Sequence, residues 1–279
     1  MENKDFVVFI LTHGRPNNIK TLNTLKKCGY TGRVFLVVDN EDNHIESYIK
    51  KYGVDMVKVF DKKAMADKVD EGNNFDERRT ITHARNACFE IASDIGIKYF
   101  IELDDDYTQF KFRFENKLGY EAKVKNINKV FDSFIKFYKS TKINSIAFSQ
   151  GGDHIGGFTK TKLKRKCMNS FFCSTDRPFK FIGAMNEDVN TYTTLASRGA
   201  LFFTFTSLQL DQAATQSQKS GITDMYNKFG TYCKSFTTVM MHPSSVKVSM
   251  MNTSNPRIHH YIKWKNTTPM IIEERHKKI

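Results

Sequence analysis

An apolar, β-prone run, Tyr99-Phe-Ile-Glu-Leu103, climbs directly into three consecutive aspartates, Asp104, Asp105 and Asp106, and stops. Burying Phe100, Ile101 and Leu103 makes this segment an interior strand, and its C-terminal end must then hold three carboxylates side by side. Carboxylates this close repel one another unless something positive sits among them. A hard divalent cation meets that need: Mg²⁺ or Mn²⁺ takes one or two protein carboxylates and leaves its other positions for substrate phosphates. In open α/β sheets, ligands bind beyond the carboxyl ends of the strands, which is where the triplet falls. An acidic run alone reads more simply as a solvated turn. The rest of the chain decides between the two.

Phe6-Val-Val-Phe-Ile-Leu11 is a continuous apolar run of strand length, as expected of a strand covered on both faces. It ends in the loop Thr12-His-Gly-Arg-Pro16. Ile19, Leu22 and Leu25 share one face of a helix predicted from about Asn18. Val34–Val38 reads as a second strand closing on Asp39, followed by a short helix around His44–Tyr52 and a strand at Met56–Phe60. Ile81, Ala84, Cys88, Ile91 and Ile95 predict a helix over 78–95, with Arg78, Arg79, His83 and Arg85 in its first turns. Ile127, Val130, Phe131, Phe134, Ile135 and Tyr138 give the strongest amphipathic stripe, over 126–139. A helix at 186–197 and a strand at Ala200–Phe205 follow. Strands alternating with helices predict an α/β fold: a doubly wound, mainly parallel sheet flanked by helices, in one domain without repeats or linkers. The early strands then deliver their C-terminal ends to the same edge as Asp104–Asp106.

Composition narrows the function. A net charge of +13 favours a polyanionic partner. No apolar run approaches the roughly 20 residues of a membrane-spanning helix, so no membrane partner is expected. The N-terminus leads straight into a strand, and the five cysteines, 28, 88, 167, 173 and 233, lack CxxC spacing. Together these predict a chain without a signal peptide in a reducing, cytoplasmic compartment.

Four features converge at the predicted edge: the Thr12–Pro16 loop, Asp39, the arginines of 78–85, and the aspartate triplet. They supply donors for phosphate, a carboxylate for a base or ribose, and a metal site, which is a kit for a nucleoside diphosphate. Taken one at a time, Arg78 and Arg79 are solvated helix charges, Asp39 is a turn residue and His13 a loop histidine.

These segments carry a resemblance. The Thr-His-Gly-Arg-Pro loop, Val-Val-Asp39, the Ala84-Arg-Asn86 run and the DxD-type triplet resemble GT-A-fold glycosyltransferases. Asn186-Glu-Asp188 resembles the acceptor-side "xED" element of their inverting members. With Arg198-Gly199, Thr215–Asp224 and Arg257-Ile-His-His260, the layout is similar to the TET/JBP-associated glycosyltransferases of phages. That resemblance implies transfer of a sugar from a UDP-sugar such as UDP-glucose to double-stranded DNA. The acceptor is either hydroxymethylcytosine or another hydroxymethylpyrimidine, or a glucose already on such a base, as in the T-even type. It implies a donor half at 1–125, an acceptor half at 126–279 and a C-terminal lid. Asp104 and Asp106 would hold Mn²⁺ or Mg²⁺, with His259 completing the shell and His260 in reserve. Thr12, His13, Arg15, Asp39, Arg79, Arg85, Asp104 and Asp105 would bind the donor. Asp188 would be the general base, supported by Glu187. A nucleotidyltransferase of similar build lacks its glycine-rich loop here, and a non-catalytic DNA-binding protein would leave the aspartates unexplained.

The basic excess points to the acceptor. Lys160, Lys162, Lys164, Arg165 and Lys166 precede Phe171-Phe172, and Lys111, Arg113, Lys117, Lys123 and Lys125 interleave with Phe110, Phe112, Phe114 and Tyr120. Cations beside stackable aromatics suit a DNA track; the plainer reading is solvated lysines over core phenylalanines.

Overall fold

The computed structural model describes residues 4–69, 78–113, 121–154, 163–212, 223–252 and 256–267, without the side chains of 163 and 223–231. The first half runs β1 (Phe6–Leu11), α1 (Lys20–Lys27), β2 (Arg33–Asp39), α2 (Ile45–Tyr52), β3 (Val57–Phe60), α3 (Lys62–Ala66), α4 (Thr82–Asp94), β4 (Tyr99–Asp104), β5 (Tyr107–Arg113) and β6 (Glu121–Lys123). The second runs α5 (Ile127–Ser140), β7 (Ser145–Ser149), β8 (Leu163–Lys164), β9 (Ser170–Ser174), α6 (Glu187–Ser197), β10 (Phe202–Gln212), α7 (Thr223–Met241), β11 (Val246–Met251), β12 (Arg257–Ile262) and α8 (Trp264–Thr267).

One sheet takes the strands in the order β3-β2-β1-β4-β9-β7-β10-β5-β6, with β8 paired to β10. β3, β2, β1 and β4 are parallel neighbours, and β9, β5 and β8 run against the rest. This is the α/β architecture that the alternating pattern predicts. Its antiparallel intrusions come from β9 and β5, whose apolar runs carry no sign of direction. Strands from both expected halves interleave: β9, β7 and β10 sit between β4 and β5.

Both faces of the sheet are covered. On one, α1 and α5 bury Phe131, Phe134 and Phe148 around Phe172, with ring centroids 5.1–6.5 Å apart for the contacting pairs Phe134–Phe148, Phe134–Phe172 and Phe131–Phe148. On the other, α4 and α6 cover Phe9, Phe100, Phe171 and Phe181. The stripe along α5 is core, as its period requires. α4 begins at Thr82, not at 78, so Arg78 and Arg79 precede the helix. Thr80 Oγ1, accepting from Thr82 N, sits at its start. β10 runs seven residues past the predicted Phe205, to Gln212, pairing with β5 from Leu208 onward. No helix among the described residues is long and apolar enough to cross a membrane.

Candidate active site

Register places the site. Leu11 pairs with Val37 on one side and with Asp104 on the other, so the loop after β1 emerges between Asp39 and the aspartate triplet. That loop is tied to both. Thr12 Oγ1 donates to Asp105 Oδ2 at 2.7 Å, and Arg15 Nη1 pairs with Asp105 Oδ1 at 2.9 Å. His13 Nδ1 meets Asp39 Oδ2 at 2.6 Å, and Lys62 Nζ approaches Asp39 Oδ1 at 3.3 Å. Burial alone would raise the Asp39 carboxyl; the His13 bond and Lys62 outweigh it and hold the group below its usual range. The same bond raises His13. Two groups that the sequence did not single out complete the loop's anchorage. The Tyr48 hydroxyl accepts from Arg15 N at 2.7 Å, and Asp42 Oδ2 accepts from Gly14 N at 2.6 Å. Asp42 lies inside the acidic turn after β2 and was legible as a turn residue; the role of the Tyr48 hydroxyl, on an apolar helix stripe, had no signal.

The three aspartates have different surroundings. Asp105 is committed to Thr12 and Arg15, so it braces the loop. Asp104 Oδ1 accepts from Arg85 Nη2 at 3.0 Å. Asp106 Oδ2 accepts from Gln212 Nε2, at the end of β10, at 3.3 Å, whereas its Oδ1 is buried and has no hydrogen-bond partner among the described residues. Burial, more than the neighbouring carboxylates, raises Asp104 to about 7, even with Arg85 beside it, and also raises Asp106. An orphaned buried carboxylate oxygen, next to a second carboxylate that resists ionising, fits a hard cation. Thr21, at the start of α1, fixes the turn by donating to the Asp104 carbonyl and accepting from Tyr107 N.

His259 is not brought to this pair. Among the described residues no three His, Cys, Asp or Glu side chains cluster as a metal site. β12 pairs with β11 and packs on α7, and the His259 and His260 rings lie 4.1 Å apart against each other.

The Glu187–Asp188 pair arrives by a different route. The segment 181–186 is pinned to α4: Asn86 exchanges hydrogen bonds with Phe181, Thr82 Oγ1 donates to the Gly183 carbonyl at 2.6 Å, and Thr80 Oγ1 donates to that of Ala184 at 2.9 Å. Gly183 has φ +83°, and a Cβ there would collide with the Asn190 amide, so glycine is required. Asn186, left-handed at φ 54°, donates through its side chain to Lys234 O and Thr238 Oγ1 on α7, at 2.8 and 2.9 Å. Glu187 and Asp188 then open α6. Asp188 is buried, its Oδ1 accepts from Val189 N at 2.7 Å, and burial followed by repulsion from Glu187 raises it to about 6.

Arg85 joins the two clusters. Its guanidinium pairs with Asp104 at 3.0 Å, with Glu187 Oε1 at 3.1 Å and, more loosely, with Glu102 Oε2 at 3.6 Å. Glu102, fully buried within β4, was read from sequence only as part of the strand. Arg79 lies exposed before α4.

The expected DNA track is altered. Lys160 and Lys162 lie outside the described residues. Lys164 and Lys166 both pair with the buried Asp153, leaving Arg165 exposed. Phe171 and Phe172 are fully buried in β9 and cannot stack on bases. In the second stretch, Lys111 pairs with Glu121 and Asp211, Arg113 pairs with Glu121, and Phe110 is core. Lys123 and Lys125 make no ion pair among the described residues. Strand pairing turns Phe110, Phe171 and Phe172 inward, and carboxylates take Lys111, Arg113, Lys164 and Lys166, leaving Arg165, Lys123 and Lys125 outside those pairs.

Several solved structures share the general build. Glucosyl-3-phosphoglycerate synthase from Mycobacterium tuberculosis, solved with Mg²⁺ and UDP, is 9% identical, with 93% of this chain and 88% of that chain covered and a TM-score of 0.48. GalNAc-T7, solved with UDP, GalNAc and Mn²⁺, is 12% identical over 75% of this chain and 43% of that one, with a TM-score of 0.43. No curated protein sequence matches. The model of the TET-associated glycosyltransferase family matches residues 6–221, a span that includes the Thr12 loop, the aspartate triplet, Arg85 and the Glu187–Asp188 pair: the chain belongs to that family and is a glycosyltransferase.

Proposed function

We propose that this glycosyltransferase is a metal-dependent, inverting enzyme that moves a sugar from a UDP-sugar to a hydroxyl on modified DNA. The observation that carries the reading is that Arg85 joins two carboxylate centres: the aspartate turn, where Asp106 keeps an orphaned oxygen, and Glu187, beside the buried Asp188. Thr12, His13, Arg15 and Asp39 frame the donor's nucleoside end. Asp104 and Asp106 would hold Mg²⁺ or Mn²⁺, which neutralises charge on the departing diphosphate. Asp188, ionised at neutral pH and shielded from water, takes the proton of the attacking hydroxyl, and Glu187 keeps α6 in register with the aspartate turn. A single displacement from the face opposite the diphosphate inverts the anomeric centre, through an oxocarbenium-like transition state as in glycoside hydrolysis. The family's association with TET enzymes and the net charge of +13 support DNA as the acceptor, bearing either a hydroxymethylpyrimidine or its glucoside.

The test is incubation of the protein with a panel of nucleotide sugars and DNA carrying cytosine, hydroxymethylcytosine or glucosylated hydroxymethylcytosine, followed by nucleoside mass spectrometry. A hexose or pentose mass gained on a modified base, dependent on divalent cation, is expected. Transfer only to protein or free glycans, or transfer undiminished in excess chelator, refutes the reading.

A further inference from the structure

We propose that Arg85 is a positioning residue, not a donor contact: it ties the aspartate turn to the first turn of α6 and so holds Glu187, and with it the adjacent Asp188, at a fixed place relative to Asp104. The inference rests on the functional reading above.

Arg85 is 1% exposed, and two nitrogens of its guanidinium are hydrogen-bonded to carboxylates, while the buried Nη1 has no hydrogen-bond partner among the described residues. Nη2 is on Asp104 and Nε on Glu187, while Nη1 points to Glu102. The guanidinium lies over the Phe171 ring at 4.8 Å and the Phe181 ring at 5.7 Å. An arginine that bound the donor's phosphates would present N–H groups to the open edge; this one presents them to three carboxylates from two other elements, β4 and α6. Stability does not account for such a cluster, since buried ionic groups replaced by apolar ones of equal volume are often neutral or better. Its planar, bidentate fork sets distances between its partners in a way a single ammonium cannot. The supports run the same way: Asn86, next in α4, clamps Phe181, and Thr82, one turn earlier, clamps Gly183. α4 therefore carries both the cation that orients Glu187 and the polar groups that fix the segment leading into it.

Wild type, Arg85→Lys, Glu187→Gln and the double variant are compared by calorimetric binding of UDP with Mn²⁺, by single-turnover transfer, and by amide exchange in the first turn of α6. Arg85→Lys should bind UDP within about threefold of wild type, yet transfer about a hundredfold more slowly, the scale of a displacement near 1 Å at the reacting groups. Adding Glu187→Gln should cost no more than about a further threefold, because both changes break the same link. First-turn α6 amides should exchange at least about tenfold faster in Arg85→Lys, with β1 amides unchanged. UDP affinity lost with turnover retained would make Arg85 a donor contact. Losses that multiply in the double variant would separate Arg85 from Glu187, and unchanged turnover and exchange would remove the role altogether. A wild-type protein that transfers no sugar would overturn the functional reading instead, and the exchange measurement alone would then decide the positioning role.

Discussion

Replacing Asp188 by asparagine isolates the proton transfer from the rest of the site. The change is conservative: the Asn amide oxygen can still accept from Val189 N, the bond that Asp188 Oδ1 makes at 2.7 Å. What it removes is the proposed base, whose strength the surroundings set. Burial first, and then the negative charge of Glu187, raise Asp188 to about 6, against the opposing pull of Val189 N, Arg85 and Lys234. A carboxylate raised in this way is active above that value and is lost by protonation below it. At pH 7.5 Asp188 is almost wholly ionised yet close enough to the working pH to be an effective acceptor. At pH 5 only about a tenth is ionised, so Asp188 by itself should lower kcat/KM about tenfold, in addition to the loss from protonating Asp104. Asp188→Asn should lower turnover by about 10²–10⁴-fold, equivalent to roughly 3–5 kcal/mol of barrier. It should also remove the Asp188 step from the acidic limb of the pH profile, leaving the titration of the aspartate turn, and leave UDP binding unchanged. Quenched-flow transfer assays from pH 4.5 to 8.5, with calorimetry of UDP in parallel, supply the numbers. Near-normal turnover in the variant, or loss of UDP affinity in place of turnover, would show that the base lies elsewhere.

Further outcomes follow from individual contacts. Asp106→Ala should abolish cation-dependent UDP binding and cut turnover at least about a hundredfold; undiminished binding in the variant would place the cation away from Asp106. Tyr48→Phe leaves Arg15 N without its acceptor, so the Thr12–Pro16 loop should lose about 1–3 kcal/mol of anchorage, seen as a lower melting temperature and weaker UDP binding; no change in either would mean the loop is held by Asp105 and Asp42 alone. Lys166→Ala deprives the buried Asp153 of one of its two cations and should destabilise the fold by about 1–3 kcal/mol in urea titrations while leaving the salt slope of DNA binding as it was. Arg165→Glu, at an exposed position between them, should flatten that slope by about one to two phosphate contacts; an unchanged slope would remove this segment from the DNA surface.

The architecture was legible wherever one period dominated. β1, the core of β2, and α5 carry either unbroken apolar runs or a long helical stripe, and β4 carries a run broken only by Glu102; burial on both faces of a parallel sheet produces the strand patterns. Boundaries slipped where side-chain chemistry, not period, sets them. Thr80 and Thr82 start α4 after the arginines, although the apolar spacing permitted an earlier start. The reversed direction of β9 was not legible: Phe171-Phe172 has the same composition as a parallel core strand, and only its register against β4 shows that it runs the other way. For the same reason the phenylalanines beside the lysines looked available to DNA, when alternation in β5 and burial on both faces of β9 turn them inward.

At the site, residue types announced the chemistry, and only three-dimensional charge accounting could divide the labour. The triplet reads as three equivalent carboxylates along the chain. In space, Asp105 is matched by Arg15, Asp104 shares Arg85 with two other acids, and Asp106 keeps one buried oxygen with no partner among the described residues. Those differences arise from β1, α4 and β10, which lie far from the triplet in sequence and meet it only because the sheet order brings their ends to one edge. Glu102 shows the limit most clearly. It is fully buried because β4 is covered on both faces, and a lone buried glutamate is costly. It is tolerated because Arg85 approaches it from α4, and because burial holds its carboxyl well above the usual range, which limits the charge that one guanidinium has to balance. The arginine's excess of acidic partners is therefore the feature that lets a single side chain reach the aspartate turn and the first turn of α6 at once.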